Sequence, residues 1–170
     1  NIKTPTQKLP DWNVTLADAR IKQVDFRFDD ENALRETRGI DYRHLDIKQL
    51  QLEANNLKWN NTAFSGNIKS FAVKEQSGVD IKALQTDFMY SSKGVQLKKL
   101  YLETPKTLIR NEVGINYPSI ETLQENPGLM GLNANLQQSR IAFTDILIFA
   151  PELNEVSFFK NNPKAIAQIN

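Results

Sequence analysis

The sequence has no cysteine and only one histidine among its 170 residues. The missing cysteine excludes disulfides, thiolate zinc sites and cysteine nucleophiles. A single histidine leaves most zinc sites and catalytic triads without enough ligands or partners. The stability of the fold must therefore come from side-chain packing and from backbone pairing.

Charge of one sign and long apolar runs are also scarce. The net charge is +1, so the chain lacks the basic surplus that binds a phosphate backbone. The longest apolar run, Ile146–Ala150, ends before Pro151 and is far shorter than the roughly 20 residues of a membrane-spanning helix. The first residues, Asn1–Pro5, show neither an initiator methionine nor a signal peptide, so we expect the natural start to lie upstream.

Glycine and proline, with seven copies each, are scattered along the chain and form no linker. At this length we predict a single domain, 1–170, that is an internal segment of a larger repeat protein. The residue pattern changes after Asn116. We therefore expect a curved antiparallel sheet over 1–116 and a mixed helix and strand extension over 117–170.

Motifs that carry chemistry are missing. The sequence has no phosphate-binding glycine loop, nucleophile elbow or paired-histidine metal motif. Asp29–Glu31 lacks the spaced oxygen ligands of a calcium loop and is interpreted as a solvated turn. His44, between Asp41 and Asp46, is offset from its apolar neighbours and is expected to face solvent. We predict no catalytic residue, no metal site and no cofactor, and hence no enzyme.

The sequence does contain a repeated apolar spacing. Apolar residues alternate, slip by one position and alternate again, as in Leu45, Ile47, Leu50 and Leu52. We interpret the recurrence of this spacing as internal repetition. The other copies are Val14, Leu16, Ala19 and Ile21; Val79, Ile81, Leu84 and Thr86; Val95, Leu97, Leu100 and Leu102; Ile141, Phe143, Ile146 and Ile148; and a shorter one, Ile68, Phe71 and Val73.

Strict alternation predicts a strand with one apolar and one polar face, because successive side chains point to opposite faces. A β-bulge at the slip would absorb the extra residue, bend the strand and return all four apolar side chains to one face. The alternative is a sandwich whose strands are apolar on both faces. Helices are disfavoured by the many Val, Ile, Thr, Phe and Tyr residues and by the breakers between the copies.

The breakers predict where the strands turn. Ser65-Gly66, Ser77-Gly78 and Lys93-Gly94 are expected to form hairpin turns in an antiparallel meander over Tyr42–Arg110. Val24–Phe28 is predicted to form another strand, which the polar turn that follows it ends.

Two short helices are predicted nearer the C-terminus. Ser119 is suited to N-cap a helix that Pro127-Gly128 ends, and Asn162-Pro163 is suited to begin a terminal helix. Asp145 could also cap a helical turn up to Pro151, which competes with the strand predicted there.

A family resemblance rests on four stretches of sequence. These stretches are Gly39–Leu52, Ile68–Gly78, Leu100–Pro105 and Ser139–Leu153. They resemble the TamB proteins of the AsmA-like superfamily, and the likeness covers most of the chain.

The resemblance implies an elongated, U-shaped antiparallel sheet, a β-taco, whose concave apolar face forms a groove. It implies a periplasmic bridge protein of a Gram-negative bacterium, anchored to the inner membrane through a segment outside this sequence. Such proteins are implicated in phospholipid movement to the outer membrane and in outer-membrane protein assembly. The expected partners are phospholipid acyl chains, neighbouring segments of the same protein and an outer-membrane barrel assembly protein, with no nucleic acid.

The resemblance and the apolar spacing lead to one candidate surface. An apolar groove stabilises a buried acyl chain by about 0.8 kcal/mol per CH₂ and needs no catalytic residue. The alternative is a structural or interaction module, an envelope β-solenoid or adhesin-type repeat, with the same residues in a closed core. A third hypothesis is that an exposed sheet edge pairs with a client strand. The residues predicted to face the groove are Leu45, Ile47, Leu50, Leu52, Ile68, Phe71, Val73, Val79, Ile81, Leu84, Val95, Leu97, Leu100 and Leu102.

Overall fold

A computed structural model describes residues 11–119 and 129–170, and its chain is mainly β, as predicted. The predicted helix after Ser119 lies outside the described residues. The strands are β1 (Asn13–Asp29), β2 (His44–Asn60), β3 (Ala63–Glu75), β4 (Asp80–Ser91), β5 (Gly94–Glu103), β6 (Leu108–Asn116), β7 (Gly131–Leu136), β8 (Ser139–Ala142) and β9 (Ile166–Ile169). The helices are α1 (Phe143–Phe149), a 3-10 helix (Pro151–Glu155) and α2 (Ser157–Asn161).

All the strands of the described residues belong to one open sheet, and every pairing is antiparallel. Strands β1 to β6 follow each other as a meander, which confirms the predicted topology. β7 and β8 both pair with β6, β7 along Asn111–Asn116 and β8 at Leu108, and β9 then pairs with β8. There is no second sheet within the described ranges, so the sandwich alternative is wrong.

The predicted bulges are present at the slips of the apolar spacing. The pairing of β2 with β3 shifts by one residue after Lys48, and that of β5 with β6 shifts between Leu97 and Leu100. Gln49 and Lys99, which lie at these slips, have positive φ angles of 55° and 50°. Bulges bend a strand and increase its twist, so the sheet is curved where they recur.

Two further slips of the apolar spacing also coincide with irregular strand pairing. Pairing between β3 and β4 shifts between Ile68 and Phe71, and again on the other side of Phe71. In β1 and β2 the ladder skips Ala17 and Asn56 together, and Asn56 has a positive φ of 53°. Because both strands are irregular at the same level, β1 and β2 stay in register there.

One of the three predicted hairpin turns is wrong. Ser77-Gly78 and Lys93-Gly94 lie at turns, but Ser65-Gly66 lies inside β3. The turn before β3 falls instead at 61–62, where the Asn60 side chain accepts a hydrogen bond from the backbone N–H of Thr62 at 2.9 Å. Gly66 serves close packing, because a Cβ at this position would lie 2.5 Å from Leu57 Cδ2.

The C-terminal predictions need two corrections. Only Ile141 of the copy Ile141, Phe143, Ile146 and Ile148 lies in a strand, and the other three lie in α1. The helix prevails because Phe143 packs against the rings of α2, with centroids 4.9 Å from Phe159.

The terminal helix is also wrong. Asn162 follows the end of α2, and Ile166–Ile169 forms β9 along the edge of β8. This pairing satisfies backbone groups on β8 that would otherwise lack a partner.

The core is thin. Within the described ranges no large side chain is fully buried. A closed β-solenoid or sandwich would bury one whole face of its strands, whereas β1 is exposed along almost all of its length. The buried apolar residues are Ala54, Val73, Val79, Leu100, Tyr117, Ala142 and Phe143.

Candidate functional site

One face of the sheet is apolar from β1 to β7. Residues that pair directly in antiparallel strands lie on the same face, so the strand register identifies this apolar face. One row across it is Ile21, Leu52, Phe71, Leu84, Leu102 and Ile109. A second row is Val14, Trp59, Phe64, Tyr90, Val95, Ile115 and Leu132.

The structure places all the predicted groove-facing residues on the apolar face or at its end. Val73, Val79 and Leu100 are buried, and the others are half-buried. Val79 precedes β4 in the chain, whereas the rest lie within strands. Half-burial means that neighbouring side chains cover part of each residue and that the described residues leave the rest accessible.

The apolar face extends further than the sequence analysis predicted. β1 adds Val24, Phe26 and Phe28, which pair with Leu50, Ile47 and Leu45 and remain exposed. The repeated spacing covers only eight residues, whereas β1 and β2 each have 17, so the ends of these strands escaped the pattern.

At one end of the strands, aromatic side chains form a connected series. Trp12 contacts Trp59 edge to face, with ring centroids 5.2 Å apart, and Trp59 lies 6.3 Å from Phe64. Phe64 in turn lies 5.0 Å from Phe88. We call this end, formed by residues 11–14, 59–64, 90–95, 115–117 and 131–132, the aromatic rim. Its only charged residues are Asp11 and Lys93.

The aromatic rim holds an open cavity of about 450 Å³. Trp59, Phe64 and Tyr90 supply its apolar walls, and Asn60 and Asn61 supply amides. The lining of this cavity therefore combines apolar rings with polar groups that carry no formal charge. No pattern in the sequence linked Trp12 and Trp59 to Phe64 or Tyr90.

The opposite end of the strands has a different composition. We call this end, formed by residues 29–45, 74–80, 103–108 and 139–145, the charged rim. Residues 29–45 alone contain eight charged side chains. Many of them are already paired, including Arg35 with Asp29 at 3.1 Å and Arg38 with Glu155 at 3.5 Å.

His44 lies in the charged rim and is buried, so the prediction that it faces solvent is wrong. Its Nδ1 lies 2.8 Å from Asp41 Oδ2 and its Nε2 lies 3.1 Å from the backbone oxygen of Asp30. Both partners are oxygen acceptors, so each ring nitrogen of His44 faces an acceptor. The loop between β1 and β2 folds over the ring, which the alternation of β2 does not reveal.

Asp41 is the second buried polar residue of this network. Burial raises the pKa of its carboxyl, but hydrogen bonds from the backbone N–H of Glu36, from His44 and from the backbone N–H of Arg43 outweigh burial and lower the pKa overall. The carboxylate therefore joins the backbone at Glu36 to the backbone at Arg43 and to the His44 ring. We assign this network a structural role.

A helical strap crosses the charged rim. We use this name for residues 143–161, which comprise α1, the 3-10 helix and α2. Asp145 accepts a hydrogen bond from Thr104 Oγ1 at 2.6 Å. A cavity of about 280 Å³ lies between α1 and the strand ends, lined by Val79, Ile81, Ile148 and Phe149 among others. The strap therefore covers this end of the apolar face.

The other face of the sheet is polar. Arg20 pairs with Glu53 at 2.9 Å, and Lys99 pairs with Asp87 at 2.8 Å. The hydrogen bond from Lys99, with a second from Asn67, lowers the pKa of Asp87. These exposed pairs contribute little stability, and they mark the face that water covers.

Neither a metal site nor a membrane span emerges from residues 11–119 and 129–170. No group of three or more histidine and acidic side chains there could hold a metal ion, and no helix there is long and apolar enough to cross a membrane. Comparison with protein-family models, with curated proteins and with solved structures gives no match to this chain.

Proposed function

We propose that this chain binds phospholipid acyl chains on its apolar face, as one segment of a protein that carries or shields lipids between two membranes. In this proposal it belongs to a TamB-type bridge in the periplasm of a Gram-negative bacterium, linked to outer-membrane biogenesis and protein assembly. It acts without catalysis. Its partners are lipid, neighbouring segments of the same protein and an outer-membrane barrel assembly protein.

The observation that carries this proposal is the extent of the apolar face that the described residues leave exposed. Soluble monomers rarely expose contiguous apolar patches beyond a few hundred Å², and larger patches mark ligand or partner sites. Here one apolar row runs across six strands and another across seven, and side chains such as Trp59, Phe26 and Leu132 remain exposed. An acyl chain needs only continuous apolar contact, which such rows supply.

The competing hypotheses have weaker support. A closed structural core would bury this face, and the open sheet leaves it accessible. Pairing with a client strand is compatible with the outer edge of β1, which has no partner among the residues the structure describes. Edge pairing, however, leaves the apolar face without an occupant.

The experiment compares two neighbouring positions on opposite faces of β2. Leu50→Arg places a charge on the apolar face, and Gln51→Arg places the same charge on the polar face. Each variant is incubated with phospholipid vesicles and separated from them, and its bound lipid is measured by native mass spectrometry and lipid extraction. We expect Leu50→Arg to weaken binding at least about tenfold, because an unpaired charge under an acyl chain costs more than 1.4 kcal/mol.

Gln51→Arg is expected to bind lipid as the unchanged chain does. Circular dichroism of both variants shows whether the sheet persists. Failure of the unchanged chain to take up phospholipid would overturn the proposal, as would equal binding by the two folded variants.

A further inference from the structure

We infer that a bound phospholipid lies along the strands, with its headgroup at the aromatic rim and its acyl chains directed toward the charged rim. This inference rests on the proposed function and adds an orientation to it. Between the two rims the rows of the apolar face offer almost no polar group, so the headgroup of a lipid lying along the strands must reach one rim or the other.

The loop of the charged rim, residues 29–45, is a poor place for a headgroup phosphate. Arg35 pairs there with Asp29, and Arg38 pairs with Glu155. Arg43 in this loop, and Lys74, Lys106 and Arg140 elsewhere on the rim, have no ion pair among the described residues. A phosphate would have to displace these carboxylates and would meet an excess of acidic groups in the loop.

The helical strap also occupies the space on the apolar side of that rim. Ile148 Cδ1 lies 3.6 Å from the position that a Cβ on Gly78 would take, and Pro151 packs even closer to Gly39. Val79 is buried beside α1. Acyl chains can point toward this apolar wall, whereas a hydrated headgroup cannot pass it.

The aromatic rim has the composition of a water–hydrocarbon boundary. Indole and phenol rings combine an apolar body with a polar tip, and they concentrate where acyl chains meet headgroups in membranes. Trp59 and Tyr90 sit at the outer end of the apolar face and are exposed. The uncharged amides of Asn60 and Asn61 line the same cavity, where Asn60 Oδ1 accepts hydrogen bonds from Thr62 and Ala63 and Asn61 Nδ2 donates to Asp11.

The dimensions of the strands fit this orientation. Trp59 and Ala54 are five positions apart in β2, which corresponds to about 16 Å at the usual strand rise. One leaflet of a bilayer contributes about 15 Å of hydrocarbon, half of the roughly 30 Å core. Acyl chains that start at Trp59 therefore reach the middle of the sheet, at the row Ala54, Ile68 and Thr86.

The two tryptophans of the sequence, Trp12 and Trp59, both lie at the aromatic rim and report directly on this orientation. Trp12→Phe leaves Trp59 as the single reporter. The variant is loaded with phosphatidylcholine that carries a nitroxide either on the headgroup or near the end of one acyl chain. Excess vesicles are removed by gel filtration, and retained lipid is counted by native mass spectrometry. We expect the headgroup nitroxide to quench Trp59 fluorescence more strongly than the chain-end nitroxide.

A matched variant moves the reporter to the level at which the acyl chains end. Trp12→Phe, Trp59→Phe and Ile21→Trp together place the only tryptophan on β1 directly opposite Leu52, two residues from Ala54. There we expect the chain-end nitroxide to quench more strongly. This reversal excludes a general difference in reactivity between the two labels.

Stronger quenching of Trp59 by the chain-end label would overturn the orientation and leave the proposed function standing. Retained lipid without quenching by either label would also overturn it, because the lipid would then lie away from the aromatic rim. A chain that retains no lipid would overturn the proposed function and the orientation together.

Discussion

The aromatic rim and the charged rim end the same strands but are held together differently. At the aromatic rim, ring contacts from Trp12 through Trp59 and Phe64 to Phe88 connect neighbouring strands. Trp12, Trp59 and Phe64 stay exposed and Phe88 is half-buried. At the charged rim, His44 and Asp41 are buried in a hydrogen-bonded network, and the helical strap packs over the hairpins.

This difference separates stability from binding. Buried and fully hydrogen-bonded groups contribute to folding, because their loss leaves cavities or unpaired polar atoms. Exposed aromatic side chains contribute less to folding, and their apolar area remains available to a ligand. Substitutions at the charged rim are therefore expected to lower stability, and those at the aromatic rim to lower lipid binding.

The largest stability effect is expected at the anchor of the helical strap. Phe143 is buried and touches the rings of Phe158 and Phe159, with centroids 5.4 and 4.9 Å away. Phe143→Ala leaves a cavity and should lower the free energy of unfolding by about 3 kcal/mol or more. Urea denaturation followed by circular dichroism measures this loss.

Phe64→Ala at the aromatic rim is the matched control. Phe64 is 37% exposed, so its truncation removes less buried area and should cost only about 1 kcal/mol. An equal loss of stability in the two variants would contradict the division of roles between the rims.

Most of the sheet could be predicted from the sequence because its apolar face is periodic. The slip in Leu45, Ile47, Leu50 and Leu52 predicted a bulge, and Gln49 adopts the positive φ of one. The turn predicted at Ser65-Gly66 was wrong because Gly66 makes room for the Leu57 side chain. In the sequence alone, such a glycine cannot be distinguished from a glycine in a turn.

The C-terminal part could not be predicted in this way, because tertiary contacts decide its structure. The spacing of Ile141, Phe143, Ile146 and Ile148 fits a strand as well as a helix. The aromatic cluster around Phe143 and the hydrogen bond between Thr104 and Asp145 favour the helix, and both join residues far apart in the sequence.

The sequence predicted which residues form the apolar face but not which residues cover them. Alternation indicates which face a side chain takes, so the predicted residues fall together on one face. It does not indicate what covers that face. His44 lies on the side expected to be wet, yet the loop carrying Asp30 and Asp41 covers it.

An intermediate stability effect is expected for His44 itself. His44→Ala removes the partner of the Asp41 carboxylate and of the Asp30 backbone oxygen within a buried site. The cost should be about 1–3 kcal/mol, since buried acceptors lose their hydrogen bonds. Tyr42→Ala, two residues earlier and 69% exposed, is the control and should change stability by no more than about 0.5 kcal/mol. Equal unfolding midpoints in urea for the two variants would show that the His44 network does not stabilise the rim.

The smallest effect is expected from acid, and it should also fall on the charged rim. Hydrogen bonds hold the pKa of Asp41 below its ordinary value in the folded chain, although burial opposes them. A depressed folded-state pKa gives stability that is complete above the unfolded value, about 3.9, and is lost as the pH falls through the folded-state pKa. The unfolding midpoint in urea should therefore be lower at about pH 3 than at about pH 6.

Asp29, whose pKa is lowered chiefly by Arg27, contributes in the same direction. Asp41→Asn removes the Asp41 part, so its midpoint should fall less between the two pH values, and a fall as large as that of the unchanged chain would assign the acid sensitivity to other carboxylates.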